Sequence, residues 1–192
     1  MKKLMFSALV AMTVVFVAGC GGGKKEIASE PMVPNAPEWV NKGTGAFTDA
    51  NGQKVFYGVG MVSGVRNRAL AIQAADQRAR SEIAKSLDNY VAVLTKDYMA
   101  STTAGNMDKS SEEQDISTTL KGFTKFTLQG AVIVDHWRDP SDGTVCSLAK
   151  LDMAAVQQTL NDAKELDAKM RDFVRANADK SFDALAAEEA KH

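Results

Sequence analysis

The chain has 192 residues, with 23 basic and 24 acidic side chains and a formal net charge of −1. No basic face gathers the positive charge that binding along a nucleic-acid backbone requires, so we expect no nucleic acid as a partner. The length suits a single folded domain with a short appendage.

The N-terminal twenty residues have the layout of a bacterial export signal. Two lysines precede an apolar run over residues 4–17, which is too short to span a bilayer as a permanent helix. The run ends in Val17-Ala18-Gly19-Cys20, which resembles the lipobox of bacterial lipoproteins, with cleavage between Gly19 and Cys20. We therefore predict a signal peptide at 1–19 and lipidation of the Cys20 thiol by a diacylglyceryl group. An ordinary cleaved signal with a coincidental cysteine is the alternative.

Residues 20–36 are predicted to form a flexible tether. Three glycines follow Cys20 directly, and Pro31 and Pro34 leave no helix or strand to propose before Glu38. Gly21 stands where many inner-membrane lipoproteins carry a retention aspartate, which favours the outer membrane, on its periplasmic or surface face. The expected partners are the membrane, through acyl chains on Cys20, and envelope proteins or a second copy of this chain.

A first β-hairpin is predicted around Asp49-Ala50-Asn51-Gly52, because Asn-Gly between two apolar runs is the strongest short hairpin signal. Gly58 and Gly60 follow on the second strand and precede a helix. Their spacing is not the G-x-G-x-x-G of a dinucleotide site. We interpret them as points where a helix crosses the sheet closely, or as a bulge.

A long helix is predicted after this hairpin, ending near Ala100, because apolar residues recur every three or four positions. These residues are Ile72, Ala75, Ala79, Ile83, Leu87, Tyr90, Val91, Leu94 and Tyr98. Ser110 and Glu113 form a capping-box pattern. It predicts a shorter helix over residues 111–126 that folds back along the first.

A second hairpin is predicted from Ala131 to Leu151, with a turn at residues 139–143. Asp152 is placed to cap a final helix with a heptad-like apolar pattern. Its early half is interpreted as cover for the sheet, within a domain at 37–177. Residues 178–192 are predicted to be a helical extension. The alternative to a role in covering the sheet is that this part of the helix extends past the domain and contacts a partner or a second copy. The fold class is therefore α+β: a small antiparallel sheet of two hairpins covered by a long helix, a shorter antiparallel helix and a C-terminal helix.

No catalytic, cofactor-binding or metal site is predicted, and we expect the protein not to be an enzyme. Cys146 is interpreted as a small buried residue of a strand, and His136 as a structural or surface residue. A hydrolase using Cys146 or His136 is an alternative, although nucleophile, base and orienting group never occur as a set. A further alternative is a small-ligand or peptidoglycan-fragment pocket formed by the sheet with Trp39 and Trp137.

Four short motifs occur in order after the lipobox, and together they carry a family resemblance. They are Pro37-Glu38-Trp39-Val40, Tyr57-Gly58-Val59-Gly60, the segment from Arg78 to Ala84, and Trp137-Arg138-Asp139 before Asp142-Gly143. From the lipobox to about Leu160 the chain resembles the lipoprotein-20 family of bacterial outer-membrane lipoproteins. Val145-Cys146 replaces the usual aromatic residue of the last strand. The resemblance implies a non-enzymatic envelope module, and some relatives are associated with flagellar structures.

Overall fold

The computed structural model describes residues 32–102, 127–162 and 168–191. Four helices and four strands make up this part of the chain, together with a short 3-10 turn at Leu128–Gly130. In chain order they are α1 (Glu38–Lys42), β1 (Gly45–Thr48), β2 (Lys54–Val62), α2 (Arg68–Thr102), β3 (Val132–Arg138), β4 (Val145–Asp152), α3 (Met153–Asp162) and α4 (Ala168–Glu189). The predicted α+β class is confirmed.

The strands form one antiparallel sheet in the order β1-β2-β4-β3, so both predicted hairpins are present and meet where β2 pairs with β4. The first turn closes because Asp49 Oδ1 accepts hydrogen bonds from the backbone N–H groups of Asn51 and Gln53, at 2.9 and 3.0 Å. Gly52 takes the left-handed conformation at φ 77°, which an L side chain rarely adopts.

The long helix α2 lies across one face of the sheet with the predicted residues inward. Of the nine apolar positions in the predicted stripe, eight are buried and only Ile72 is half-buried. Where α2 crosses β2, a Cβ atom added at Gly58 would lie 2.1 Å from the carbonyl oxygen of Ala79. One added at Gly60 would lie 2.1 Å from that of Ala75. The interpretation of both glycines as points of close helix crossing is confirmed.

The centre of the core is aromatic. The ring of Phe56 meets those of Tyr90 and Phe182 edge to face, with centroids 5.8 and 5.1 Å apart. Phe182 belongs to α4, so the last helix closes the core that α2 and the sheet begin.

The predicted C-terminal extension is wrong for the described residues up to Glu189. Ala178, Phe182 and Leu185 are buried in the same core as Phe56, so α4 packs on the domain instead of extending past it. The carboxylate of Glu189 accepts a hydrogen bond from the backbone N–H of Ala46 at 2.7 Å, which fixes the end of α4 to β1. The physical reason is burial: a helix with several large apolar residues on one face is most stable with that face covered.

Helix α1 crosses the sheet face opposite to α2. Val40 is buried beneath it, and Trp39 Nε1 donates to Asp135 Oδ2 of β3 at 2.9 Å. The backbone N–H of Val59 donates to Thr44 Oγ1 at 2.9 Å, which places the chain after α1 beside the second half of β2. The first described residues are tied to α1, because both backbone polar groups of Val33 bond to the Asn41 side chain.

Two sets of predicted features lie outside the described residues. They are the N-terminal segment with Gly19 and Cys20, and the shorter helix at 111–126. Within the described ranges no helix combines the length and apolarity needed to cross a membrane.

Candidate functional site

The buried thiol of Cys146 lies on β4, one of the two central strands, close to one end of the sheet. Cys146 is 1% exposed and pairs with Met61 on one side and Trp137 on the other. Burial raises the pKa of the Cys146 thiol, and the carboxylates of Asp139 and Asp142 raise it further. Because the thiolate is the reactive form, Cys146 is a weak nucleophile here. Its interpretation as a small buried residue of a strand is confirmed.

His136 forms a contact that sequence reasoning missed. Its Nε2 lies 2.7 Å from Oδ1 of Asp76 on α2, and both side chains reach solvent. The two residues are separated by sixty positions. The contact arises because His136 lies on the sheet face that α2 covers: its cross-strand partner Ser147 also pairs with Gly60, which faces the helix. The apolar pattern of α2 could not predict this contact, because in the sequence Asp76 is one of several polar residues expected on the solvent-facing side of the helix.

Asp135 bridges β3 and α1. One carboxylate oxygen accepts the indole N–H of Trp39, and the other accepts the backbone N–H of His136 at 2.8 Å. The pairing of β3 with β4 shifts register between Ile133 and Asp135, which leaves Val134 as the extra residue of a β-bulge. We call Trp39, Asp135, His136 and Asp76 the edge network, because they join α1, β3 and α2 along one edge of the sheet.

Ser147 adds a hydroxyl to this neighbourhood. It is the cross-strand partner of His136, is fully buried, and its Oγ has no hydrogen-bond partner. Ser147 on β4, His136 on β3 and Asp76 on α2 are thus neighbours in space, in that order. A hydrolytic nucleophile needs a hydrogen bond to its base and access to substrate. Ser147 has neither in this structure, because it pairs with Gly60 directly under the crossing of α2.

The described residues contain no cluster of potential metal ligands. No group of three or more His, Cys, Asp or Glu side chains in those ranges is arranged to hold a metal ion. In the edge network, Asp135 accepts hydrogen bonds from the Trp39 indole and from the His136 backbone N–H, and Asp76 is bonded to the His136 ring.

A cleft of about 400 Å³ opens between the first hairpin turn and the last two helices. Its charged and amide residues are Gln53, Lys54, Asp152, Gln157 and Asp179. Lys54 Nζ is 2.7 Å from Asp183 Oδ1 and 3.5 Å from Asp179 Oδ1. Burial acts to lower the Lys54 pKa, but these carboxylates outweigh it and the net shift is upward.

The cleft therefore presents a cation that is already paired. Neither tryptophan of the predicted ligand pocket lines it. Trp39 belongs instead to the edge network, and Trp137 lies beside Cys146 on β3.

No family model matches the chain, and no curated protein matches it. The resemblance to the lipoprotein-20 family accordingly stays a prediction drawn from the quoted motifs.

Proposed function

We propose that this protein is a bacterial outer-membrane lipoprotein, anchored by lipid on Cys20, whose folded domain is a non-catalytic assembly module. The observation that carries the proposal is the segment Val17-Ala18-Gly19-Cys20, placed directly after a basic start and a short apolar run. Acyl chains contribute about 0.8 kcal/mol per buried CH₂, so more than one chain holds a protein stably at a bilayer.

The fold supports a tethered domain in this role. The described residues begin at Met32 and are tied at once to α1 through Val33 and Asn41. The segment between Cys20 and Met32 therefore separates the lipid from the domain, with a reach of at most about 40 Å when extended. A domain held in this way stays close to the membrane and still contacts neighbouring proteins.

The reactive side chains support an assembly role over a catalytic one. Cys146 is sealed in the sheet, Ser147 is sealed under α2, and His136 is engaged with Asp76. The side chains left to solvent on β3 are apolar at two positions, with Val132 55% and Val134 47% exposed. These two valines are the exposed apolar side chains that β3 offers to a protein partner.

The anchor is tested with the variant Cys20→Ala in a bacterium with two membranes. We expect the wild-type chain in the membrane fraction after washing without detergent, and the variant in the soluble fraction. Cys146→Ala is the matched control, because it removes the other cysteine and leaves the lipobox intact. Retention of Cys20→Ala in the washed membranes would contradict the anchor.

The assembly role is tested by placing a photocrosslinker at Val132 or Val134, with the exposed Ser81 of α2 as the control position. We expect crosslinks from β3 to a defined envelope protein or to a second copy, identified by mass spectrometry. Equal labelling from Ser81, or none from β3, would count against contacts at this strand.

The cleft beside Lys54 supports a second candidate, a binding module for small ligands such as peptidoglycan fragments. A ligand that binds only the folded state raises the melting temperature with its concentration. Peptidoglycan fragments should therefore shift the melting of the wild-type protein and not that of Gln157→Ala, which changes the cleft lining. The absence of any shift at millimolar ligand would remove this candidate.

A further inference from the structure

The end of the sheet where β2 leads into α2 exposes basic and apolar side chains together. Every residue from 63 to 70 is exposed. We call the surface formed by Met61, Val65, Arg66, Arg68 and Leu70 the basic end. Its apolar members are 39%, 38% and 54% exposed for Met61, Val65 and Leu70. Met61 points to the sheet face opposite α2, because Gly60 and Val62 on either side of it face the helix, and Leu70 lies on α2 itself. These side chains therefore surround the end of the sheet and do not form one continuous face.

The two arginines have no structural role that explains them. In the described part of the chain, neither Arg66 nor Arg68 has a carboxylate within ion-pair distance. Asn67 caps α2, accepting the backbone N–H of Leu70 at 3.2 Å, so Arg68 occupies the first helical position. A cation there opposes the helix dipole, and the first turn holds no acidic residue. Arg68 therefore gains no electrostatic stabilisation from its place at the start of α2.

Two acidic groups lie at the same end of the sheet. Asp139 and Asp142 belong to the turn between β3 and β4, and β4 is the strand that pairs with β2. Their carboxylates accept hydrogen bonds from Ser141 and Thr144 within that turn. Neither carboxylate forms an ion pair with Arg66 or Arg68, so among the described residues both arginines present their charge without a paired carboxylate.

Thr44, two residues after α1, lies near the basic end along β2. Val59 donates to Thr44 beside α1, and Met61 lies two residues further along β2, which is about 7 Å. The described chain starts at Met32, tied to α1 through Val33 and Asn41. The segment from Cys20 to Met32 spans at most about 40 Å, which limits how far the domain can stand from a bilayer that holds a lipid on Cys20.

We propose that the basic end docks on the anionic headgroup surface of the membrane that holds the lipid anchor. Arginines attract the phosphate groups, and Val65, Leu70 and Met61 enter the boundary between headgroups and acyl chains. This inference rests on the proposed lipid anchor. As a consequence, the tethered domain adopts one orientation, in which the N-terminal end of α2 lies at the membrane surface and the rest of the helix points away from it.

The test uses the acylated full-length mature protein on vesicles, with an environment-sensitive dye on Ser63→Cys. Ser63 is exposed beside the basic end, whereas Cys146 is buried and Cys20 carries lipid, so the dye attaches at one position. We expect a blue shift and quenching by brominated lipids on vesicles with phosphatidylglycerol. The response should be weak on pure phosphatidylcholine and at high salt.

The variant pair Arg66→Gln with Arg68→Gln should weaken docking about 30-fold, since each arginine near an anionic surface contributes about fivefold. Lys96→Gln with Lys180→Gln is the matched control. It makes the same change in charge at exposed lysines elsewhere, with Lys96 about 40 Å from Arg68 along α2. Val65→Ser with Leu70→Ser should also weaken docking, which charge attraction alone does not predict.

The anchor and the docking fail separately in this design. If the protein does not float with phosphatidylcholine vesicles, the anchor is wrong. If it floats but the dye responds equally on both vesicle types, or equally in the arginine variant and the lysine control, the docking proposal is overturned. A shift with soluble polyglutamate as large as that with vesicles would also overturn it, because charge alone would then be recognised.

Discussion

Replacement of Gly58 by alanine tests the closest contact in the fold. The new Cβ would lie 2.1 Å from the carbonyl oxygen of Ala79, 2.8 Å from Cγ1 of Ile83 and 3.0 Å from its backbone nitrogen. Two of these three atoms are backbone, so no side-chain rotation relieves the overlap. The helix must move away from β2 by about 1 Å, which forfeits a quarter to a half of each dispersion contact at the interface.

The magnitude follows from what that interface holds. Overpacked cores lose typically about 1–3 kcal/mol, and a backbone clash belongs at or above the upper value. We therefore expect Gly58→Ala to lower the free energy of unfolding by about 3 kcal/mol or more. For a domain of this size the corresponding fall in melting temperature is about 6–12 °C.

Urea denaturation followed by circular dichroism measures the loss, and Gly130→Ala is the matched control. A Cβ at Gly130 would lie 3.4 Å from Cδ1 of Leu151, an ordinary contact, and Gly130 lacks a positive φ. We expect little change there. If Gly58→Ala and Gly130→Ala were equally stable, α2 would not cross β2 as closely as described, and the argument from the glycines would fail.

Three further predictions concern the buried groups. Ser147→Ala should stabilise the protein by about 1 kcal/mol in urea denaturation, because it removes an unpartnered buried hydroxyl; a loss of stability would show that the hydroxyl is satisfied. Burial, with a smaller contribution from the Asp179 charge, raises the Tyr90 pKa, so the unfolded chain loses this proton first. The full contribution of Tyr90 to the free energy of unfolding should therefore be present well below pH 10.0, the ordinary tyrosine pKa. The free energy of unfolding should fall as the pH rises past that value. Tyr90→Phe should flatten that decline, and a parallel decline would contradict it. Truncation before Ala178 should abolish the cooperative melting transition, since it removes buried Phe182 and Leu185; a truncated chain with unchanged melting temperature would refute the packing of α4.

Local sequence patterns predicted those elements that are determined by residues close together in the chain. The Asn51-Gly52 turn specifies its own hairpin, and the stripe from Ala75 to Tyr98 specifies which face of α2 is buried. Gly58 and Gly60 were interpretable because a glycine inside a strand has few structural uses. Each of these signals lies within a few turns of helix or one hairpin.

Contacts between distant segments left no such signal. Trp39 and Asp135 are separated by 96 positions, and the pairing of Asp76 with His136 depends on where α2 crosses the sheet. The error about α4 has a related cause. No pattern within α4 shows that Lys54 of β2 pairs with Asp179 and Asp183, or that Phe182 between them fills the core.

The two edges of the sheet constrain how the proposed module contacts other proteins. An edge strand pairs readily with a strand of another chain unless its backbone groups are blocked. At β1 the Glu189 carboxylate occupies the N–H of Ala46, and at β3 the Asp135 carboxylate occupies the N–H of His136 next to a bulge. Continuous pairing along either edge would first displace a carboxylate and then leave it buried against the new strand. Contacts through the side chains of Val132 and Val134 avoid that penalty, so we expect assembly through this face and not by extension of the sheet.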